Sequence, residues 1–145
     1  MSEIYVKKGV CVNEYKLYKL LQNLYPHFIP KLISYDQKSK ELTTEKINEM
    51  CVSDMYGENF NLVPPKLINK IRTIIKTLYD NGFNYPDITG YNFIEDSDGK
   101  VWIIDFEHCF CKGSNKTLTN LENEYINFIE DFINNNINNW NPDFM

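Results

Sequence analysis

Residues 78–110 read LYDNGFNYPDITGYNFIEDSDGKVWIIDFEHCF. The apolar residues that precede this stretch recur at helical spacing, and Asn81-Gly82 stops them, with glycine in the C′ position. Asp87 follows the turn, and four residues separate it from Asn92. A hairpin is expected next, with strands Phe93 to Glu95 and Lys100 to Phe106 around Asp98-Gly99. Its second strand carries Asp105 within Ile103-Ile104-Asp105-Phe106. A carboxylate with three apolar neighbours is costly to bury unless a cation or hydrogen-bond donors accompany it. Phosphoryl transfer needs this set of groups. One carboxylate accepts the proton of the attacking hydroxyl, while an amide oxygen and a second carboxylate hold Mg²⁺ against the phosphates. Magnesium takes hard oxygen ligands and keeps several waters, so two protein ligands suffice.

Working outward, Glu3 to Lys8 reads as a strand with Ile4 and Val6 on one face and Tyr5 and Lys7 on the other. Asn13 is the expected cap of a helix whose stripe is Leu17, Leu20, Leu21 and Leu24. Two strands, Lys31 to Asp36 and Glu41 to Ile47, flank the polar turn Asp36–Lys40. Met50 to Gly57 allows one or two helical turns. Pro64-Pro65 opens a helix with the stripe Leu67, Ile71, Ile74, Ile75 and Leu78. Leu118, Leu121, Tyr125, Phe128 and Phe132 predict a last amphipathic helix, and the Asn-rich run Asn134 to Asn141 is expected to fray. The order predicts an α+β fold, with a small mixed layer ahead of a more helical half.

The central stretch resembles the catalytic loop and metal-binding segment of the protein-kinase-like superfamily, H-R-D-x-x-x-x-N followed by D-F-G. The corresponding residues are Tyr85-Pro86-Asp87-Ile88-Thr89-Gly90-Tyr91-Asn92 and Asp105-Phe106-Glu107. The resemblance implies one kinase-like domain over residues 1–145. Residues 1–47 would be a reduced small lobe ending at the hinge, and 48–145 a reduced large lobe. It implies ATP and Mg²⁺ as cofactors. Asp87 is implied as the base and Asn92 and Asp105 as metal ligands. Lys7 or Lys8 would steady the phosphates, with Glu14 as the ion-pair partner. Val6, Ile94 and Ile104 would enclose the adenine, and the backbone from Glu45 to Ile47 would meet its edge.

Departures from the pattern are as informative. No G-x-G-x-x-G precedes Lys7, which leaves the phosphates uncovered and a place for a protein partner over the small lobe. No A-P-E segment follows Asp105. D-F-E and the short remainder are closer to choline and aminoglycoside kinases, or to the small kinase of the KEOPS tRNA-modification complex. Those relatives imply a small-molecule or protein acceptor, or ATP hydrolysis alone. The competing expectation is a catalytically inactive kinase mimic that binds and regulates another kinase or its substrate.

Composition excludes other classes. Fifteen basic against twenty acidic residues give a net charge of −5, which argues against nucleic acid as a partner. Arg72 is the only arginine, so bidentate phosphate forks are scarce. The expected partners are therefore a nucleotide and its acceptor, with no membrane, in the cytoplasm, or the host cytoplasm if the A/T-rich codon bias reflects a virus. Asp96-Ser97-Asp98-Gly99 places its glycine two positions too early for an EF-hand and reads as a hairpin turn. His108, Cys109 and Cys111 lack C-x-x-C zinc spacing and would need a fourth ligand from Cys11, Cys51 or His27, and in the expected cytosolic setting the four cysteines read as reduced thiols.

Overall fold

The computed structural model describes residues 3–111 and 117–145. The chain divides into two compact units, Met1–Met50 with Ile94–Glu107 and Cys51–Phe93 with His108–Met145.

The first unit is built on a three-stranded antiparallel sheet of order β1-β3-β2, with β1 Ile4–Lys7, β2 Leu32–Asp36 and β3 Glu41–Glu45. Register pairs Tyr5 with Thr44 and Lys7 with Leu42, so these four share one face. Val6 pairs with Thr43 on the other face. The β2–β3 turn is held by Asp36 Oδ1, which accepts from the Lys38 N–H at 2.9 Å. Helix α1, Val12–Leu24, begins one residue before the expected cap, with Cys11 at the N-cap and Asn13 inside the first turn. Its buried face is Glu14, Tyr18 and Leu21, so only Leu21 of the predicted leucine stripe is fully buried. Leu20 and Leu24 are about half exposed. Tyr18 and Glu14 lie four apart and Leu21 three further on, a helical face that keeps Leu21 and turns Leu20 and Leu24 outward. Tyr18 meets the Phe106 ring edge-on with centroids 5.6 Å apart and donates its hydroxyl to the Pro30 carbonyl at 2.6 Å.

The hairpin after Asn92 forms, with β5 Phe93–Glu95 and β6 Val101–Ile103, but its second strand ends before Asp105, which the sequence pattern places within it and whose left-handed φ breaks the extended backbone. Asp96 organises it. Its Oδ1 accepts the N–H groups of Asp98 and Lys100, both at 2.9 Å, and its Oδ2 accepts the Trp102 indole N–H at 3.0 Å. Gly99 supplies the positive φ the turn needs, at 78°. The Ile103 N–H bonds the Phe28 carbonyl at 2.9 Å, which ties the hairpin to the loop after α1.

The second unit is helical. Val52–Tyr56 forms the short α2, which ends at Gly57 with φ 89°. Helix α3, Pro65–Asp80, buries the predicted stripe Leu67, Ile71, Ile74, Ile75 and Leu78, and adds Ile68. Helix α4, Asn120–Ile133, opens on a capping box between Thr119 and Glu122. Of the predicted stripe Phe132 is buried and Leu121 is half exposed, and the buried face adds Ile129. Two strands unseen in the sequence, β4 Phe83–Asn84 and β7 Phe110–Cys111, pair antiparallel.

The segment after α4 does not fray. Arg72 donates from Nε to the Phe132 carbonyl and from Nη2 to the Ile137 carbonyl and Asn138 Oδ1, each at 3.0 Å. Trp140 is buried, with its ring 4.9 Å from that of Phe60. Composition alone gave the wrong answer because one distant arginine and one tryptophan outweigh the surrounding asparagines. Among the described residues no helix is long and apolar enough to cross a membrane.

Candidate active site

Three of the singled-out residues meet in the first unit. Lys7 Nζ donates to Glu14 Oε2 at 2.8 Å and to Asp105 Oδ1 at 2.9 Å. Strand β1 aims Lys7 inward because it alternates with Val6, and the first turn of α1 supplies Glu14. Glu14 is only 8 % exposed, and burying its carboxylate without the lysine beside it would be costly. Burial is the largest influence on Lys7 and lowers its pKa. The bonds and attraction to Glu14 and Asp105 outweigh it, so the ammonium titrates above its usual 10.5. Lys8 is exposed and stands outside this cluster. The choice between Lys7 and Lys8 follows from strand alternation.

Asp105 adopts φ 64°, a left-handed conformation that costs most residues energy and that aspartate tolerates. Such strain concentrates at functional sites. The bend lets Asp105 Oδ1 accept both the lysine and the Glu107 N–H, the latter at 3.3 Å. The left-handed residue is thus the carboxylate itself.

Beside the cluster lies a cavity of about 210 Å³. Glu45, Ile47, Ile94 and Ile104 line it, as the sequence suggested, together with Tyr5, Pro30 and Thr44. Val6 does not line it. A strand cannot turn two adjacent side chains to one face, so placing Lys7 in the site removes Val6 from it and brings in Tyr5. Tyr5 also lines the small cleft of about 40 Å³ that holds Lys7, Glu14 and Asp105. The alternation already noted in the sequence was the signal that could have found Tyr5.

In the second unit, Asp87 and Asn92 are buried and joined. Asn92 Nδ2 donates to the Asp87 carbonyl at 2.9 Å. With its amino group committed there, the amide oxygen is the Asn92 atom available to accept from, or coordinate, another group. Between them Gly90 packs on α2, and its carbonyl accepts the Ser53 N–H at 2.9 Å. A larger cavity of about 550 Å³ in the same unit is lined by Phe60, Phe128 and Trp140, and it contains none of the residues the motif identified. The His108–Cys109–Cys111 segment holds no metal-ligand cluster among the described residues. Desolvation pushes the half-buried Cys109 thiol up, which suits an inert cysteine.

No family model matches the sequence. The chain is 35 % identical over 48 residues to the 3-deoxy-D-manno-octulosonic acid kinase of Vibrio cholerae, a match covering 33 % of this chain and 20 % of that protein. The PK-1 kinase of Cydia pomonella granulovirus superposes with a TM-score of 0.56 at 14 % identity, over 80 % of this chain and 46 % of that one. The fold is kinase-like. The chain thus spans about half the length of the solved kinase it matches and a fifth of the curated relative. Within a kinase-like fold, the Lys7–Glu14 pair belongs to the small sheet-bearing part and Asp87 with Asn92 to the helical part.

Proposed function

We propose that this protein is an ATP- and Mg²⁺-dependent phosphotransferase that passes the γ-phosphoryl group to a hydroxyl of a small molecule or a protein, or to water. The observation that carries the reading is the Lys7 ammonium bonded at once to Glu14 and Asp105, beside a cavity lined largely by apolar side chains. A cation fixed by one buried carboxylate is preorganised to hold phosphate oxygens. Its second partner, Asp105, is the carboxylate that the motif assigns to the metal.

The cavity takes the adenine ring. At about 210 Å³ it is smaller than whole-ligand pockets, which run to roughly 300–1,000 Å³. Ile94 and Ile104 supply the apolar floor, and Tyr5 offers an aromatic face for stacking. Asp105 and Asn92 would each offer a hard oxygen, the donor type Mg²⁺ takes. The metal they would hold would supply positive charge against the phosphates. Asp87 orients the acceptor hydroxyl. As its oxygen attacks the γ-phosphorus and the bond to the β,γ-bridging oxygen breaks, the proton passes to Asp87 and ADP leaves.

Thermal melts with ATP, with Mg²⁺ or EDTA, test the reading. At 100 times its Kd a nucleotide adds about 2.7 kcal/mol of stability. Wild type gains this only with Mg²⁺, and Asp105→Asn loses it. Asp87→Asn keeps the shift and loses phosphate release. No shift at millimolar ATP refutes the reading. A shift without turnover in wild type leaves the nucleotide site standing and turns the protein into a kinase mimic.

A further inference from the structure

We propose that Asn141 is a positioning residue for Asp87, the last anchor of a strap that holds the catalytic loop in its working shape. This rests on the phosphotransferase reading for its consequence, and on geometry for its existence.

The backbone around Asp87 is bent through two successive three-residue turns. The Ile88 N–H bonds the Pro86 carbonyl at 2.8 Å, and the Thr89 N–H bonds the Asp87 carbonyl at 3.0 Å. Turns this tight make poorly aligned hydrogen bonds and do not fix a loop alone. Asn141 supplies what they lack. Its side-chain Nδ2 donates to the Pro86 carbonyl at 2.8 Å, and its backbone N–H donates to the Ile88 carbonyl at 2.9 Å. One residue thus grips the chain immediately before and immediately after Asp87. Its Oδ1 accepts the Asp143 N–H at 3.1 Å, which sets the amide orientation, and the residue is only 2 % exposed.

Asn141 is itself held. Arg72 fixes the carbonyl of Ile137 and the side chain of Asn138, and Trp140 is wedged against Phe60. An asparagine that merely filled space at the end of a chain would not need to donate on both sides of one carboxylate-bearing residue. A general base must sit within hydrogen-bond reach of the proton it takes, and a displacement of about 1 Å costs on the order of 100-fold in rate.

The test uses Mg-ATP hydrolysis, with water as the acceptor, in Asn141→Ala and Asn141→Ser. Serine retains a cap for the Asp143 N–H but is too short to reach the Pro86 carbonyl. Both variants are expected to lose about 10- to 100-fold in kcat with KM for ATP within about twofold. Amide exchange gives an activity-independent readout: the Ile88 and Thr89 amides exchange faster in both variants, while those of the α3 core do not. Wild-type kcat in either variant overturns the proposal while leaving the phosphotransferase reading intact. So does a loss shared equally by kcat, nucleotide affinity and α3 protection, which marks a merely structural role. If wild type itself turns over no ATP, the phosphotransferase reading falls, and unchanged Ile88 and Thr89 exchange then overturns the strap separately.

Discussion

Replacing Lys7 with methionine asks how much of the site's stability rests on one cation. Lys7 joins Glu14, whose side chain is 6 % exposed, to Asp105, whose side chain is 33 % exposed. Removing one partner of a buried pair costs about 3–5 kcal/mol, because the remaining charge stays desolvated. Lys7 itself is 23 % exposed, so the lower end applies, about 3 kcal/mol. At this chain length roughly 3–4 °C accompanies each kcal/mol, so Tm falls by about 10 °C. The two arms should differ. Glu14→Met in the Lys7→Met background removes the stranded carboxylate, so the double mutant recovers much of the loss, and the Lys7–Glu14 coupling is about 2 kcal/mol. The Lys7–Asp105 coupling, measured with Asp105→Asn to keep the left-handed backbone comfortable, stays below about 1 kcal/mol because water screens that arm. Urea melts of wild type and the single and double variants give both couplings. A Lys7–Asp105 coupling equal to the Lys7–Glu14 value would refute the argument that burial sets the strength of each arm.

Two further outcomes follow from the same geometry. A Cβ at Gly90 would lie 2.2 Å from Ser53 Oγ and 3.0 Å from the Ser53 backbone nitrogen. The hydroxyl can rotate but the backbone cannot, so Gly90→Ala costs about 1–3 kcal/mol in a urea melt, and a change within about 0.5 kcal/mol would show that the α2 contact yields freely. The Lys7 pKa lies above its unfolded value of 10.5, so its contribution is full below pH 10.5 and fades as pH rises through the higher folded value. The stability gap between wild type and Lys7→Met should be flat at neutral pH and close only in strong alkali. A gap that closes on acidification below neutral, before carboxylates titrate, contradicts the assignment.

Local chemistry made much of the chain legible in sequence. Pro64-Pro65 and Gly82 bound α3 because proline fixes φ at a helix start and glycine accepts a positive φ at its end. Asp98-Gly99 fixed the hairpin, and the fixed interval from Asp87 to Asn92 put one carboxylate and one amide on the same short loop. These depend on neighbours within a few residues. Which face of α1 is buried was only partly legible, because Leu21 is buried as its stripe predicted while Leu20 and Leu24 give way to Tyr18 and to Glu14, whose burial is made possible by a lysine on a strand. Nor was the fate of Asn134 to Asn141, whose anchors are Arg72, Phe60 and the carbonyls flanking Asp87, all distant in the chain. Sequence alone determined where the backbone turns and which chemical groups are present. Only the tertiary structure decided which of them meet, because burying a charge or a polar amide is favourable only when a partner arrives from elsewhere in the fold.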